Sequence, residues 1–298
     1  MADIKLFKIK NSKAIELYGT NVTLEKSLQN LIEKNLNEIL GIKFICSEHT
    51  TGKTHAGRID TLGLDENGNP VIIEYKRTMT ENVINQGLFY LDWLLSHKAE
   101  YELLVQDILG IDERKRIDWS MPRLICIAGD FTKYDLYAVQ VMNRNIELIR
   151  YKYFEDDLLL LELVNTVTAE NKPKNNGEKK YSGVSDFIPK LNGELSDLLE
   201  DLRNYLKSLG DDVQEKFLKY YIAYKRFKNF VCLEVHPSKE CLTLYLKIDP
   251  TKVELEEGFS RDVTHVGHYG TGDLEVIIKN RTDLEKAKQL IEKSYNEN

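Results

Sequence analysis

Apolar residues recur every three or four positions between Asn21 and Leu40, at Leu24, Leu28, Leu31, Ile32, Leu36, Ile39 and Leu40. That period predicts an amphipathic helix with one wet face. The pattern then changes. Three short runs, "IKFICSE", "RIDTLGLD" and "PVIIEYKR", have the length and composition of strands. Helical spacing returns in "TENVINQGLFYLDWLLSH", with Thr80 as N-cap and Glu81 in the first turn. An amphipathic segment runs from Glu100 to Leu109, "RLICIA" reads as a buried strand, and a further helix and strand reach Leu163. Helix, three strands, helix, strand implies an α/β sandwich around a mixed sheet.

The pattern lapses once. "TVTAENKPKNNGEKKYSGVS" is rich in Lys, Asn and Gly and poor in large apolar residues, which marks a linker. The chain therefore reads as a first domain over 1–165, a linker over 166–190 and a smaller α+β domain over 191–298. In the last of these the pattern predicts helices over 191–209 and 211–228, a hairpin in "FVCLEVHPSKECLTLYLKI", the segment "RDVTHVGHYGTGDLEVIIK", and a closing helix from Thr282 to Tyr295.

Composition adds limits. With 42% hydrophobic and 30% charged residues among 298, the chain reads as an ordinary globular protein. No apolar run approaches the roughly 18 residues that span a bilayer. The start "MADIKLFKIK" lacks a signal-peptide core, so the expected compartment is the cytoplasm. Cys46, Cys126, Cys232 and Cys241 never reach C-x-x-C spacing, which indicates neither a zinc ribbon nor a disulfide framework. The net charge of −7 argues against binding nucleic acid by overall field; the first domain carries −5, the linker +2 and the last domain −4.

Candidate chemistry concentrates in "GRIDTLGLDENGNPVIIEYKR". A three-residue loop Glu66-Asn67-Gly68, with Gly68 left-handed, pairs Asp65 with Asn69 and so sets Asp60 opposite Glu74. Lys76 shares the face of Glu74, and Ile73 and Tyr75 take the other. Two carboxylates among Val, Ile and Leu need a cation between them, and Mg²⁺ (or Mn²⁺) suits hard oxygen ligands of this kind. Lys76 would orient or deprotonate a water, or neutralise a phosphate. On the first helix, Glu25 falls inside the apolar stripe, whereas Glu33 and Glu38 lie off it. On the second, Gln86 and Tyr90 share a face. Taken singly, each has a simpler reading: a solvated Glu-Lys pair, a boundary glutamate, a helix surface.

As an ordered set, these residues resemble the PD-(D/E)xK nuclease superfamily, whose fold is an αβββαβ restriction-endonuclease-like sandwich around a mixed sheet. They are most similar to the NucS-type endonuclease domain, over roughly residues 20–165. The likeness rests on Glu25, Leu28, Ile32 and Asn35, on "GRIDTL" from Gly57 to Leu62, on Glu74-x-Lys76, and on Gln86 with Tyr90. The resemblance implies a metal-dependent endonuclease hydrolysing DNA phosphodiesters: Asp60 and Glu74 hold Mg²⁺, Glu25 supports the metal or its waters, Lys76 assists the water, and Gln86 and Tyr90 position the scissile region. Two features depart from it. The family's separate N-terminal DNA-binding and dimerising domain has no counterpart here, and Phe89 stands where a basic residue usually precedes the helix tyrosine.

In the last domain "LYLKI", "RDVTHVGHYGTGDLEV" and "LIEKSY" resemble a family of small C-terminal domains without assigned activity, often attached to nuclease-like modules. Gly267, Gly270 and Gly272 read as a phosphate nest or, more simply, as a tight turn. His265 and His268 have ligand-like spacing but no fixed acidic or Cys partner. "YKRFKNF" mixes bases and aromatics as nucleic-acid contacts do, yet its aromatics suit a core equally. Two functions therefore stand: a DNA endonuclease, for which a homodimer would help an acidic chain enclose a duplex, or a catalytically silent nuclease-fold module binding nucleic acid or a protein partner.

Overall fold

The computed structural model describes residues 4–20, 25–52, 56–76, 83–155, 157–167, 183–184, 188, 191 and 193–298. The chain divides into two compact units, Met1–Lys172 and Pro173–Asn298.

The first unit opens on a hairpin absent from the expectations above. Strands β1 (Leu6–Lys10) and β2 (Lys13–Leu17) pair antiparallel, with Lys10 opposite Lys13. The helix expected over 21–40 is two helices, α1 (Glu25–Lys34) and α2 (Leu36–Leu40), and residues 21–24 lie outside the described residues. The break falls at Asn35, whose side-chain amide turns back to the Leu31 carbonyl at 2.9 Å. Gly41, at φ +65°, ends α2.

Six strands form one sheet in chain order: β3 (Ile42–Thr50), β4 (Arg58–Asp65), β5 (Pro70–Lys76), β6 (Arg123–Ala128), β7 (Asn145–Phe154) and β8 (Leu158–Val167). β5, β6 and β7 run parallel and the other neighbours antiparallel, so the sheet is mixed and the class α/β. The single strand expected to close this unit at Leu163 is instead the pair β7 and β8, and β8 continues to Val167. Between β5 and β6 come α3 (Val83–Ser96), α4 (Lys98–Leu109) and α5 (Ile111–Lys115); α6 (Lys133–Val141) precedes β7. The cap expected at Thr80 and Glu81 lies outside the described residues.

Alternation sorts the strand residues. Leu62, Leu64 and Ile72 join Ile84, Leu91 and Leu94 of α3 and Tyr101 of α4 in one core. Thr61 takes the other side, where its hydroxyl donates to Glu33 of α1 at 2.6 Å. At the loop end of β4, buried Arg123 donates to Asp65 at 2.7 Å and bidentately to Glu147 at 2.9 and 2.8 Å. Three strands are thereby tied at one level.

In the second unit, one helix of the expected pair holds, as α7 (Glu194–Ser208). The expected helix over 211–228 is instead two strands, β9 (Gln214–Phe217) and β10 (Ile222–Lys225), paired antiparallel. They extend a sheet with β11 (Asn229–His236), β12 (Cys241–Leu246), β13 (Ser260–Asp262) and β14 (Leu274–Ile278), in the order β13-β14-β12-β11-β10-β9. α7 and the closing α8 (Arg281–Glu297) cover one face through Leu198, Leu202, Leu206, Leu284 and Ile291. Val184, from the expected linker, is buried in the same core.

Glu215 of β9 anchors this unit electrostatically. It accepts from Arg203 at 2.8 and 2.9 Å and from the Tyr224 hydroxyl at 2.7 Å, and Lys207 lies 2.8 Å away. Burial pushes its carboxyl up, but these donors outweigh burial and hold it down at about 2, from 4.5. A lowered folded pKa adds stability that is complete above the unfolded value and disappears as pH falls through the folded one. Glu215→Gln is accordingly expected to cost about 1–3 kcal/mol at neutral pH, after allowance for solvent screening. In urea titrations the deficit should narrow as pH falls from 4.5 towards 2.

Among the described residues no helix is long and apolar enough to cross a membrane. Among the described residues no disulfide joins Cys46, Cys126, Cys232 or Cys241.

Candidate active site

The β4–β5 loop sets the register as its residues dictate. Gly68 is left-handed at φ +82°, where a Cβ would lie 2.3 Å from the Arg116 carbonyl oxygen. The Asp65 amide donates to the Asn69 carbonyl at 3.0 Å, and the ladder runs to Thr61 opposite Ile73. One step further Asp60 faces Glu74, and there side chains take over from the backbone. The Asp60 amide donates to Glu74 Oε1 at 3.1 Å, and the Tyr75 amide donates to Asp60 Oδ2 at 3.0 Å. Each carboxylate is thus held by the neighbouring strand through one oxygen.

The second oxygen of Glu74, Oε2, is buried and accepts no hydrogen bond among the described residues. Glu74 is fully buried and Asp60 half-buried. Burial, then the Asp60 charge, drives the Glu74 carboxyl well above the ordinary range, and burial also raises Asp60. An acceptor in that state is costly unless a cation or proton meets it.

Lys76, on the last residue of β5, donates to Glu25 Oε1 at 3.2 Å. The first residue of α1 thereby reaches the end of β5. Burial pulls the Lys76 ammonium down, but Glu25, Asp60 and Glu74 outweigh it and leave it raised. Lys76 is therefore a cation at neutral pH and a poor base. Lys76, Ala128 and Arg150 are level across β5, β6 and β7. The charged group sits at the carboxyl ends of the parallel strands, where α/β sheets leave a crevice.

Gln86 and Tyr90 stand behind this group as supports. The Tyr90 hydroxyl accepts from the Arg58 amide at 3.1 Å and from Gln86 Nε2 at 3.4 Å. Tyr90 is buried, and its ring occupies the space a side chain at Gly57 would need: a Cβ there would lie 2.5 Å from it. The pair fixes the start of the strand that carries Asp60. Phe89, beside it, is exposed.

Three neighbours escape the sequence reading. Gln29 is buried on α1, four residues after Glu25, and donates to the Asp60 carbonyl at 2.8 Å and to Ser47 at 3.1 Å. Its spacing from Glu25 was the available signal. Glu33, expected off the apolar stripe, turns to the sheet and accepts from Thr61 and Gln29. Glu48, in the left-handed region at φ +58°, joins Lys26 at 2.6 Å and Arg58, and adds to the negative charge around Asp60.

Among the described residues no three His, Cys, Asp or Glu side chains form a ready metal cage. In the second unit His268 stacks on Tyr245 with ring centroids 4.0 Å apart, and His265 is exposed. Gly270 and Gly272 press backbone onto the sheet: added Cβ atoms would lie 2.7 Å from Cys232 Sγ and from the Tyr245 backbone. Tyr221 and Tyr224 are core residues and Phe227 is half-buried.

Comparison with known proteins gives three likenesses. Residues 184–298 match a family described as "Domain of unknown function (DUF5655)". The whole chain is similar to a protein of Haemophilus influenzae described as uncharacterized, at 28% identity over 98% of this chain and 99% of that one. A solved structure titled "Structure of EndoMS-dsDNA2 complex" aligns with 44% of this chain and 47% of its own, at 22% identity and a TM-score of 0.26. The chain thus spans less than half of that protein.

Proposed function

We propose that the first unit is a divalent-ion-dependent phosphodiester hydrolase of restriction-endonuclease-like build, acting on DNA. One observation carries this reading: Glu74 Oε2 is buried without a partner beside a second carboxylate, Asp60, and an ammonium, Lys76. Two carboxylate donors on adjacent strands fit Mg²⁺ or Mn²⁺. Mg²⁺ keeps several waters and binds through one or two carboxylates, so a three-ligand cage is not required. Asp60 and Glu74 would hold the ion, and Glu25 would support its waters. When bound, the ion supplies Lewis-acid stabilisation of charge developing on the phosphodiester.

The chain's own groups do the rest. The two backbone amides fix the carboxylates in place before substrate arrives, which limits reorganisation. Lys76, held as a cation, neutralises phosphate charge rather than accepting a proton. Gln86 and Tyr90 position the β4 backbone. The choice of DNA as substrate rests on the ordered set of Glu25, Asp60, Glu74, Lys76, Gln86 and Tyr90.

The test is cleavage of single-stranded, double-stranded and branched DNA with Mg²⁺ or a chelator. Metal-dependent product is expected, with Lys76→Ala slower by about 10²–10³-fold. No metal-dependent product from any of the three defeats the reading and leaves a nuclease-fold binding module.

A further inference from the structure

The β1–β2 hairpin is positively charged in an acidic unit. Residues 4–20 hold four lysines against one glutamate, a net +3 in a protein of net −7. Its register pairs Lys8 with Ile15 and Lys10 with Lys13. Alternate residues share a face, so Lys8, Lys10 and Lys13 lie together on one side of the ribbon. Lys10 and Lys13 are directly opposite each other and exposed. Like charges so placed oppose the pairing that brings them together. The same side also exposes Ile15 and carries the buried Leu17 at its stem, and the other side exposes Phe7 and Ile9.

The ribbon is also anchored. Thr20 and Tyr153 exchange both amide bonds, at 2.7 and 2.9 Å, and Leu17 is buried. Gly19 packs so closely that a Cβ would lie 3.0 Å from the Phe154 ring and 3.2 Å from the Lys152 side chain. Tyr153 follows Arg150 on β7 by three residues, and Arg150 is level with Lys76. The stem is therefore fastened at the end of the sheet that carries the candidate active site.

We propose that this hairpin is a DNA-binding arm that lays its lysine face on the phosphates of B-form duplex DNA beside Asp60 and Glu74. The choice of nucleic acid rests on the hydrolase reading; the choice of duplex rests on shape. A two-stranded ribbon fits the B-DNA major groove, whereas the A-form major groove is too narrow for side chains to read. A lone two-stranded ribbon is marginal in water, and groove walls would cover both its faces. The arm supplies locally the positive field that the acidic chain lacks overall.

Binding of the full-length protein to a labelled duplex, read by fluorescence anisotropy in chelator, tests this independently of cleavage. Lys10→Ala/Lys13→Ala is expected to bind at least about ten-fold more weakly, with the slope of log affinity against log salt shallower by about 2. Its melting temperature should not fall below wild type, because both side chains are exposed and their removal relieves the like-charge opposition. Three results would overturn the arm: no duplex binding by wild type, equal affinity and slope in the variant, or preference for double-stranded RNA or phosphatidylserine vesicles over duplex DNA. Arm-dependent binding without any cleavage would sink the hydrolase reading and leave the arm standing.

Discussion

Glu74→Gln is expected to reduce metal-dependent DNA cleavage by about 10⁴-fold while making the metal-free protein more stable. The two effects have one origin. Glu74 is buried, its Oε2 accepts nothing, and the Asp60 carboxylate stands on the next strand. Without a cation that arrangement opposes folding, because burial and a like charge both disfavour the ionised form. An amide of the same shape removes the charge and leaves an oxygen to accept from the Asp60 amide. The gain expected in chemical denaturation is about 1–3 kcal/mol. The same amide is a poor ligand for a hard cation, so added Mg²⁺ or Mn²⁺ should raise the melting temperature of wild type and leave Glu74→Gln unmoved. Cleavage falling together with stability would mean that Glu74 is a structural group, and the assignment would fail.

Arg123→Ala should have the largest effect on folding of the first unit, about 3–5 kcal/mol in urea denaturation. Burial pulls its guanidinium pKa down, but Glu147 and then Asp65 raise it further, so it is a permanent cation in the core. Asp65 and Glu147 are buried as well. Alanine leaves both carboxylates in low dielectric without a counter-charge. Lowering the pH should recover part of the loss, since protonation removes the stranded charges. A cost under about 1 kcal/mol would show that water reaches these carboxylates and would place them outside the core.

The placement of the candidate residues is legible where local rules set geometry. Gly68 demanded a left-handed turn, the turn fixed the register, and the register brought Asp60 to Glu74. Tertiary partners were harder to read. A helical wheel counts apolar neighbours, so it placed Glu33 in solvent, whereas a hydroxyl on the facing strand draws that carboxylate inward. Gln29 was hidden for the same reason: its partner is the Asp60 backbone carbonyl, which no side-chain pattern reveals. The strands mistaken for a helix over 211–228 failed through burial on both sides. Ile222 and Tyr224 pack in one core while Tyr221 and Ala223 pack in another, so no alternation of polar and apolar residues announced a strand. The β1–β2 ribbon does alternate, in Phe7-Lys8-Ile9-Lys10 and Ile15-Glu16-Leu17, but over runs of only three or four residues, too short to stand out; its lysines are its most informative feature.

The Asp65–Asn69 turn rests on other parts of the unit: the Asp118 amide donates to the Gly68 carbonyl at 2.7 Å, and Asp65 is bonded to Arg123. A strand that slips by one residue exchanges its faces. One codon lost between Asp65 and Asn69 would bring Tyr75 to the place of Glu74, one gained would bring Ile73, and either would turn Glu74 onto the face that Thr61 presents to α1. The length of this short turn is thus under the same selection as the acids it aligns, and natural length variation should collect elsewhere in the chain.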